Sequence, residues 1–246
     1  MESVHPESLL PAPHRGLARA ALGKLRYWHY RLFSRRRIAL EQIDGLSTLV
    51  LPGVLNPRAM RTGEFFASQL GSSIVKPGMT VLDMGTGSGI CALAAARHAR
   101  RVVAVDINPA AVRCARVNCL LNALEERIEV IEGDLYGPLR WQRFDLVLFN
   151  PPFIRAAARD DADRAWRSLD VAERFAAGLA EHLTPDGYAL VLLSTYGDPQ
   201  HFVWEFRGHG FSLEVTARRT YINEKLTLLR VTPAVAGETA DRPLHR

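Results

Sequence analysis

Asn150-Pro151-Pro152-Phe153 carries the most specific chemical pattern in the chain. Each proline fixes its own φ and removes a backbone N–H, and it holds the residue before it extended. A strand ending in this run therefore offers acceptors and few donors. The Asn150 side-chain oxygen and the Pro151 carbonyl can point at one place. A planar NH2 group supplies two donors to that pair. Fixing both hydrogens turns its nitrogen lone pair toward a neighbouring ligand. Pro152 stiffens the exit, and Phe153 offers a face on which an amide or a base stacks.

Upstream, a predicted strand runs into Asp83-Met84-Gly85-Thr86-Gly87-Ser88-Gly89. Glycines at such a turn allow a sharp reversal and close approach of a ligand. In an open α/β sheet the turn lies at the carboxyl ends of the strands, where ligands bind. Asp83, Gly85, Thr86, Gly87 and Gly89 are candidate cofactor contacts. The next strand ends at Asp106, followed by Asn108. A carboxylate there accepts hydrogen bonds from two ribose hydroxyls. The strand after that ends near Asp134 and Leu135, an acceptor for an adenine amino group beside a surface for its ring. Together the stations call for an adenosine-containing ligand. Ile90 stands where the dinucleotide fingerprint needs its third glycine, which counts against a nicotinamide cofactor.

These motifs resemble the class I S-adenosylmethionine-dependent methyltransferases over about residues 60–232. The resemblance implies a doubly wound, seven-stranded, mostly parallel sheet with a reversed last strand, S-adenosylmethionine as cofactor, and an enzyme rather than a binding scaffold. The Asn-Pro-Pro-Phe motif is similar to that of the amino-methyltransferases, which act on N6 of adenine, N4 of cytosine, N2 of guanine or a glutamine amide. The glycine loop and the closing Glu224–Leu229 resemble the HemK-like release-factor glutamine N5 methyltransferases. In that family a segment like Asn56-Pro57…Thr62-Gly63-Glu64 closes over the methionine end of the cofactor, which implies a contact for Thr62. Phe153 replaces the usual Tyr, and the N-terminal residues are too few for the family's helical bundle. The acceptor ranking is therefore protein glutamine first, nucleic-acid base a close second and small molecule third. The segment Ile154–Ser168, with four arginines, three aspartates and Trp166, is a candidate substrate lid.

The elements that must position these groups follow from periodicity. Short apolar strands are expected at Val81–Met84, Val102–Ile107, Ile128–Glu132, Phe144–Asn150 and Tyr188–Ser194, with Phe211–Ala217 and Leu226–Val231 closing as an antiparallel pair. Helices are expected over Ile90–Arg97, Ala110–Asn122, Asp163–His182 and Gln200–His209, and over Glu64–Ile74 with Thr62-Gly63 as its cap. Asp44-Gly45 signals a hairpin between Ile38–Leu40 and Leu46–Leu51. Nearly continuous apolar strands alternating with helices require a sheet covered on both faces.

The 246 residues are 48% hydrophobic and 23% charged, which excludes wholesale disorder. No apolar run reaches the roughly 20 residues of a membrane span, and no secretory h-region is visible. The expected division is a basic extension (1–55), a methyltransferase domain (56–232) and a disordered tail (233–246). The net charge of +5 is unevenly placed. Residues 1–40 hold eight basic and two acidic groups, leaving the rest of the chain at about −1. Residues 15–37, read as one or two short amphipathic helices, are thus a candidate contact for RNA or a protein partner. Cys91, Cys114 and Cys119 read as buried thiols of a reducing, cytoplasmic compartment. No His-x-x-x-His or paired-cysteine spacing appears, so no metal is expected.

Overall fold

The computed structural model describes residues 37–222 and 224–234. All but Arg37 of the basic segment read at 15–37, and all but Pro233 and Ala234 of the tail read at 233–246, lie outside the described residues; Pro233 ends a strand. The described residues begin with a hairpin, β1 (Ala39–Ile43) and β2 (Leu46–Val50), paired antiparallel. Asp44 and Gly45 turn it at φ 49° and 75°, the two positive values of a type I′ turn.

Seven strands form the main sheet: β3 (Thr80–Met84), β4 (Arg101–Asp106), β5 (Ile128–Glu132), β6 (Phe144–Phe149), β9 (Leu183–Ser194), β10 (Phe211–Thr220) and β11 (Lys225–Pro233). Their order is β10-β11-β9-β6-β3-β4-β5. β3, β4, β5, β6 and β9 pair in parallel, and β11 runs antiparallel to both β9 and β10. The reversed last strand expected from the resemblance is present. Chain order passes from β3 outward to β4 and β5, then resumes with β6 on the other side of β3. The switch point therefore lies between β3 and β6, and a ligand crevice belongs at their carboxyl ends.

Successive residues of each central strand feed opposite cores. Val81, Val102, Ala104, Leu146, Leu148, Leu190 and Leu192 face one layer. It is built by α2 (Thr62–Ala67), α3 (Ile90–Ala96) and α4 (Pro109–Leu121). Leu82, Val103, Val105, Val147, Phe149, Val191 and Leu193 face the other, built by α5 (Val171–Leu179) and α6 (Pro199–Gly208). This two-sided burial is why the strands read as unbroken apolar runs. The cysteines are free and buried in α3 and α4. Among the described residues no helix is long and apolar enough to cross a membrane.

Three elements depart from the sequence reading. The helix expected over Glu64–Ile74 is shorter, and a separate one precedes it. α1 (Pro57–Met60) starts at Asn56, whose side chain accepts from the Arg58 and Ala59 N–H groups, and α2 begins at Thr62 and ends at Ala67. Thr62 makes no cap. Arg61, left-handed at φ 65°, turns the chain between them. The helix expected over Asp163–His182 is broken. Residues Asp161–Ala165 form a 3₁₀ turn, and β8 (Arg167–Ser168) pairs in parallel with β7 (Ile154–Arg155) before α5 starts at Val171. The Ile154 N–H donates to the Trp166 carbonyl at 2.9 Å, so strand pairing overrides local helix preference. β9 also begins five residues early. Residues Thr184–Gly187 bulge between the pairs Phe144–Leu183 and Leu146–Tyr188. A Cβ at Gly187 would sit 2.7 Å from the Phe144 carbonyl, which keeps glycine there.

Candidate active site

A cleft of about 460 Å³ opens at the carboxyl ends of β3, β4 and β6, within the usual range for small-ligand sites. Its floor is the turn from β3 into α3. Gly85, Gly87 and Gly89 take φ values of 66°, 57° and 85°, where residues with a Cβ are strained. A Cβ at Gly87 would meet no atom within 4 Å, so this part of the turn faces open cleft. Gly89 does not line the cleft; it lets α3 approach α4, because a Cβ there would lie 3.2 Å from that of Ala115.

Asp83 is 4% exposed beneath this turn. Its Oδ2 accepts from the Thr86 hydroxyl at 2.5 Å and from the Ala92 N–H at 3.0 Å, tying strand, loop and helix together. Burial pushes its carboxyl up to about 7, against the lowering pull of those two bonds. Asp106 also lines the cleft. Its two oxygens accept from the Gly87 and Asn108 N–H groups, both at 2.8 Å. Burial raises its pKa, and those N–H groups oppose the rise. Each oxygen keeps a second lone pair for a ligand. The Asn108 amide is engaged elsewhere: Oδ1 caps α4 at the Ala110 N–H, and Nδ2 donates to the Gly53 carbonyl.

Asp134 and Leu135 form a third wall. Leu135 is left-handed at φ 47°. Asp134 accepts from Arg174 at 2.7 Å, a residue that no sequence motif marked because it comes from α5, 40 positions later. The segment following β6 lines the cleft mouth through Ala157, Ala158, Arg164, Arg167 and Ser168.

At the end of β6 the Asn150 Nδ2 lies 3.5 Å from the Thr62 hydroxyl. The structure thus joins two residues 88 positions apart. The Asn150 Oδ1 is buried and has no hydrogen-bond partner. Pro152 lines the cleft, whereas Pro151 and Phe153 do not. Phe153 instead lines a smaller pocket toward α6. It is held there by close packing on Gly197, where a Cβ would fall 2.1 Å from the Phe153 carbonyl.

The chain leaving the hairpin roofs the cleft through Gly53 and Val54, and α4 holds the hairpin in place. Asn118 accepts from the Leu49 N–H and donates to the Leu49 carbonyl, both at 2.7 Å, and it donates to the Ser88 carbonyl of the glycine turn at 2.8 Å. One helical turn on, Asn122 accepts from the Ser47 N–H at 3.0 Å and donates to its carbonyl at 2.8 Å.

Comparison with known proteins yields one family model, the methyltransferase small domain, over residues 50–205. Similar curated proteins include the ribosomal protein uL3 glutamine methyltransferase of Bradyrhizobium diazoefficiens, 34% identical over 75% of this chain and 66% of its own length. A putative protein N5-glutamine methyltransferase of Methanocaldococcus jannaschii is 29% identical over 61% of this chain and 79% of its own. Among solved structures, a 16S rRNA N2 methyltransferase of T. thermophilus in complex with AdoMet and guanosine aligns with a TM-score of 0.57 and 25% identity, over 78% of this chain and 49% of that one. The chain spans a little under two thirds of the first relative and about half of the last.

Proposed function

The chain belongs to the methyltransferase small domain family. From that premise we propose that it transfers a methyl group from S-adenosylmethionine to a planar exocyclic nitrogen, a protein glutamine amide before any other. The buried, partnerless Asn150 Oδ1 carries this reading. Buried polar atoms nearly always have partners, and an orphan acceptor at the end of a ligand cleft is the partner of a donor that arrives with substrate. Thr62 orients the amide, because its hydroxyl faces Nδ2 and leaves Oδ1 for the acceptor NH2.

The cleft suits the cofactor. Asp106 would accept from the ribose hydroxyls, Asp134 and Leu135 would meet the adenine, and the open backbone of Gly85-Thr86-Gly87 would follow the methionine chain. When bound, S-adenosylmethionine supplies an already activated sulfonium methyl group. The protein's own part is then orientation more than acid–base chemistry. The Asn150 Oδ1 would accept a hydrogen of the acceptor NH2 and favour the positive charge that grows on nitrogen as it is alkylated. Asp83 acts at one remove by fixing the turn.

The names of the two curated relatives support glutamine as acceptor. The rRNA enzyme supports a second reading, N2 of guanine, since that amine also offers two hydrogens in one plane. Both acceptors belong to the translation apparatus, and a cytoplasmic site of action follows. The positive charge of residues 15–37 would draw in ribosomal RNA or a protein bound to it.

Cell extract incubated with the protein and tritiated-methyl cofactor, then split between nuclease and protease, tests this. Label released by protease but not by nuclease is the expected result, and the reverse selects the RNA reading. No incorporation, together with no calorimetric binding of S-adenosylmethionine or its demethylated product, overturns the proposal.

A further inference from the structure

Behind the Asn-Pro-Pro-Phe loop, on the side away from the cleft, α5 and α6 bring together Glu173, His201 and Glu205. One carboxylate or imidazole atom from each lies within 4.8 Å of the other two. His201 Nε2 is 2.9 Å from the Glu173 Oε1 and 3.9 Å from the Glu205 Oε1. Donor atoms around one small dication stand about 3–4 Å apart, given metal–ligand bonds of about 2.0–2.2 Å.

Three further observations point to a ligand. His201 Nε2 and Glu173 Oε2 are buried and lack a hydrogen-bond partner; the close approach of Glu173 Oε1 to the imidazole lacks the direction of a hydrogen bond. The Glu205 side chain is 8% exposed, and its nearest imidazoles, His201 and His209, stand at 3.9 Å, too far to bond. A pocket of about 20 Å³, lined by Glu173, His201, Arg155, Asp198 and Phe153, adjoins two of the three. That is room for one water-sized occupant. Arg155 bonds the Glu173 Oε1 at 3.1 Å.

We propose that Glu173, His201 and Glu205 bind one divalent transition-metal ion that pins α5 to α6 behind Pro152 and Phe153. Two carboxylates and one imidazole suit Zn2+, Mn2+ or Fe2+ and disfavour soft Cu(I). Glu173 ligates through the unpartnered Oε2, with Arg155 remaining on Oε1 as an outer neighbour. Such a site is independent of the acceptor's identity and of methyl transfer itself.

Zn2+ alone is the probe, titrated into the chelator-treated full chain by calorimetry at neutral pH. One-to-one binding is expected, with a rise in Tm of several degrees. Glu205→Gln, which keeps the side chain's shape, should weaken binding at least tenfold, and His201→Ala should do the same. Arg155→Ala should tighten it by removing a positive charge beside the dication. Substitution by Co2+ should give a visible absorption band that the two weakened variants lack. Absence of saturable binding overturns the proposal. So does Zn2+ binding that Glu205→Gln and His201→Ala leave unchanged, or a His201 imidazole whose NMR signals Zn2+ leaves unmoved.

Discussion

In Asn150→Ala the end of β6 loses both amide atoms, and their different surroundings set different consequences. The Nδ2 contact with Thr62 is 3.5 Å long, at the limit of a hydrogen bond, so its loss costs no more than about 0.5 kcal/mol. The Oδ1 is buried with no partner, a state that costs about 1–3 kcal/mol, and its removal returns part of that. The fold should therefore be unchanged or slightly stabilised, with Tm moving by no more than about 4 °C. Cofactor affinity should stay within about threefold, because the adenosine contacts belong to Asp106, Asp134 and Leu135. Transfer should fall about 10²–10³-fold, the effect of deleting one preorganised partner of developing charge, or about 2.7–4 kcal/mol. Thermal denaturation, calorimetry with S-adenosylmethionine and a single-turnover methyl assay on the acceptor found in extract measure the three quantities separately. Turnover within threefold of wild type would refute the acceptor role. A cofactor affinity that falls as far as turnover does would place Asn150 in cofactor binding instead.

Three further outcomes follow from the same geometry. Asp83 binds a proton up to about pH 7 in the folded chain, whereas an unfolded aspartate releases it near pH 4. Its contribution to stability therefore falls as pH rises through that window, by a few kcal/mol in all. Asp83→Asn should flatten this slope, and Tm profiles of the two proteins that run parallel from pH 5 to pH 8 would contradict it. Asn118→Ala strips partners from the Leu49 N–H and carbonyl and from the Ser88 carbonyl. It should destabilise the fold by about 3 kcal/mol and speed hydrogen exchange across Leu46–Val50; unchanged exchange there would show that α4 does not hold the hairpin. Burial pushes all three thiols up. No cysteine of the native chain should react with a thiol reagent before denaturant is added, and one rapid equivalent would refute their assignment to the core.

Legibility of the sequence followed the range of the interactions. Strands such as Ile128–Glu132 were plain because burial on both faces leaves a continuous apolar run, and the glycine turn because each glycine answers a local backbone demand. The break between Asp163 and Val171 was hidden, since Arg167-Ser168 leaves helix only by pairing with Ile154-Arg155, thirteen residues back. Asn56-Pro57 read as punctuation although it caps and opens α1. Asn150 and Thr62 were each marked by motif, yet their meeting depends on the start of α2 coming to the end of β6 from 88 positions away. Phe153 carried the right chemistry for stacking, but packing on Gly197 turns it toward α6. A search for paired histidines or cysteines passes over His201 and Glu205 on one helix with Glu173 on another, because the third member is 28 residues away.

The asparagine pair on α4 has a further consequence for how the protein behaves in a crowded cell. A two-stranded ribbon ordinarily presents two open rows of N–H and C=O groups, each a template for a foreign strand. In β2 the outward pairs are those of Ser47 and Leu49, and Asn122 and Asn118 occupy both. Two side-chain amides thus stand in for a neighbouring strand and leave that edge nothing to recruit. The protection is local and covalently cheap, but it makes the ribbon and α4 interdependent. A change on either side of the pair reopens the edge, so the first sign of damage here would be aggregation rather than lost catalysis.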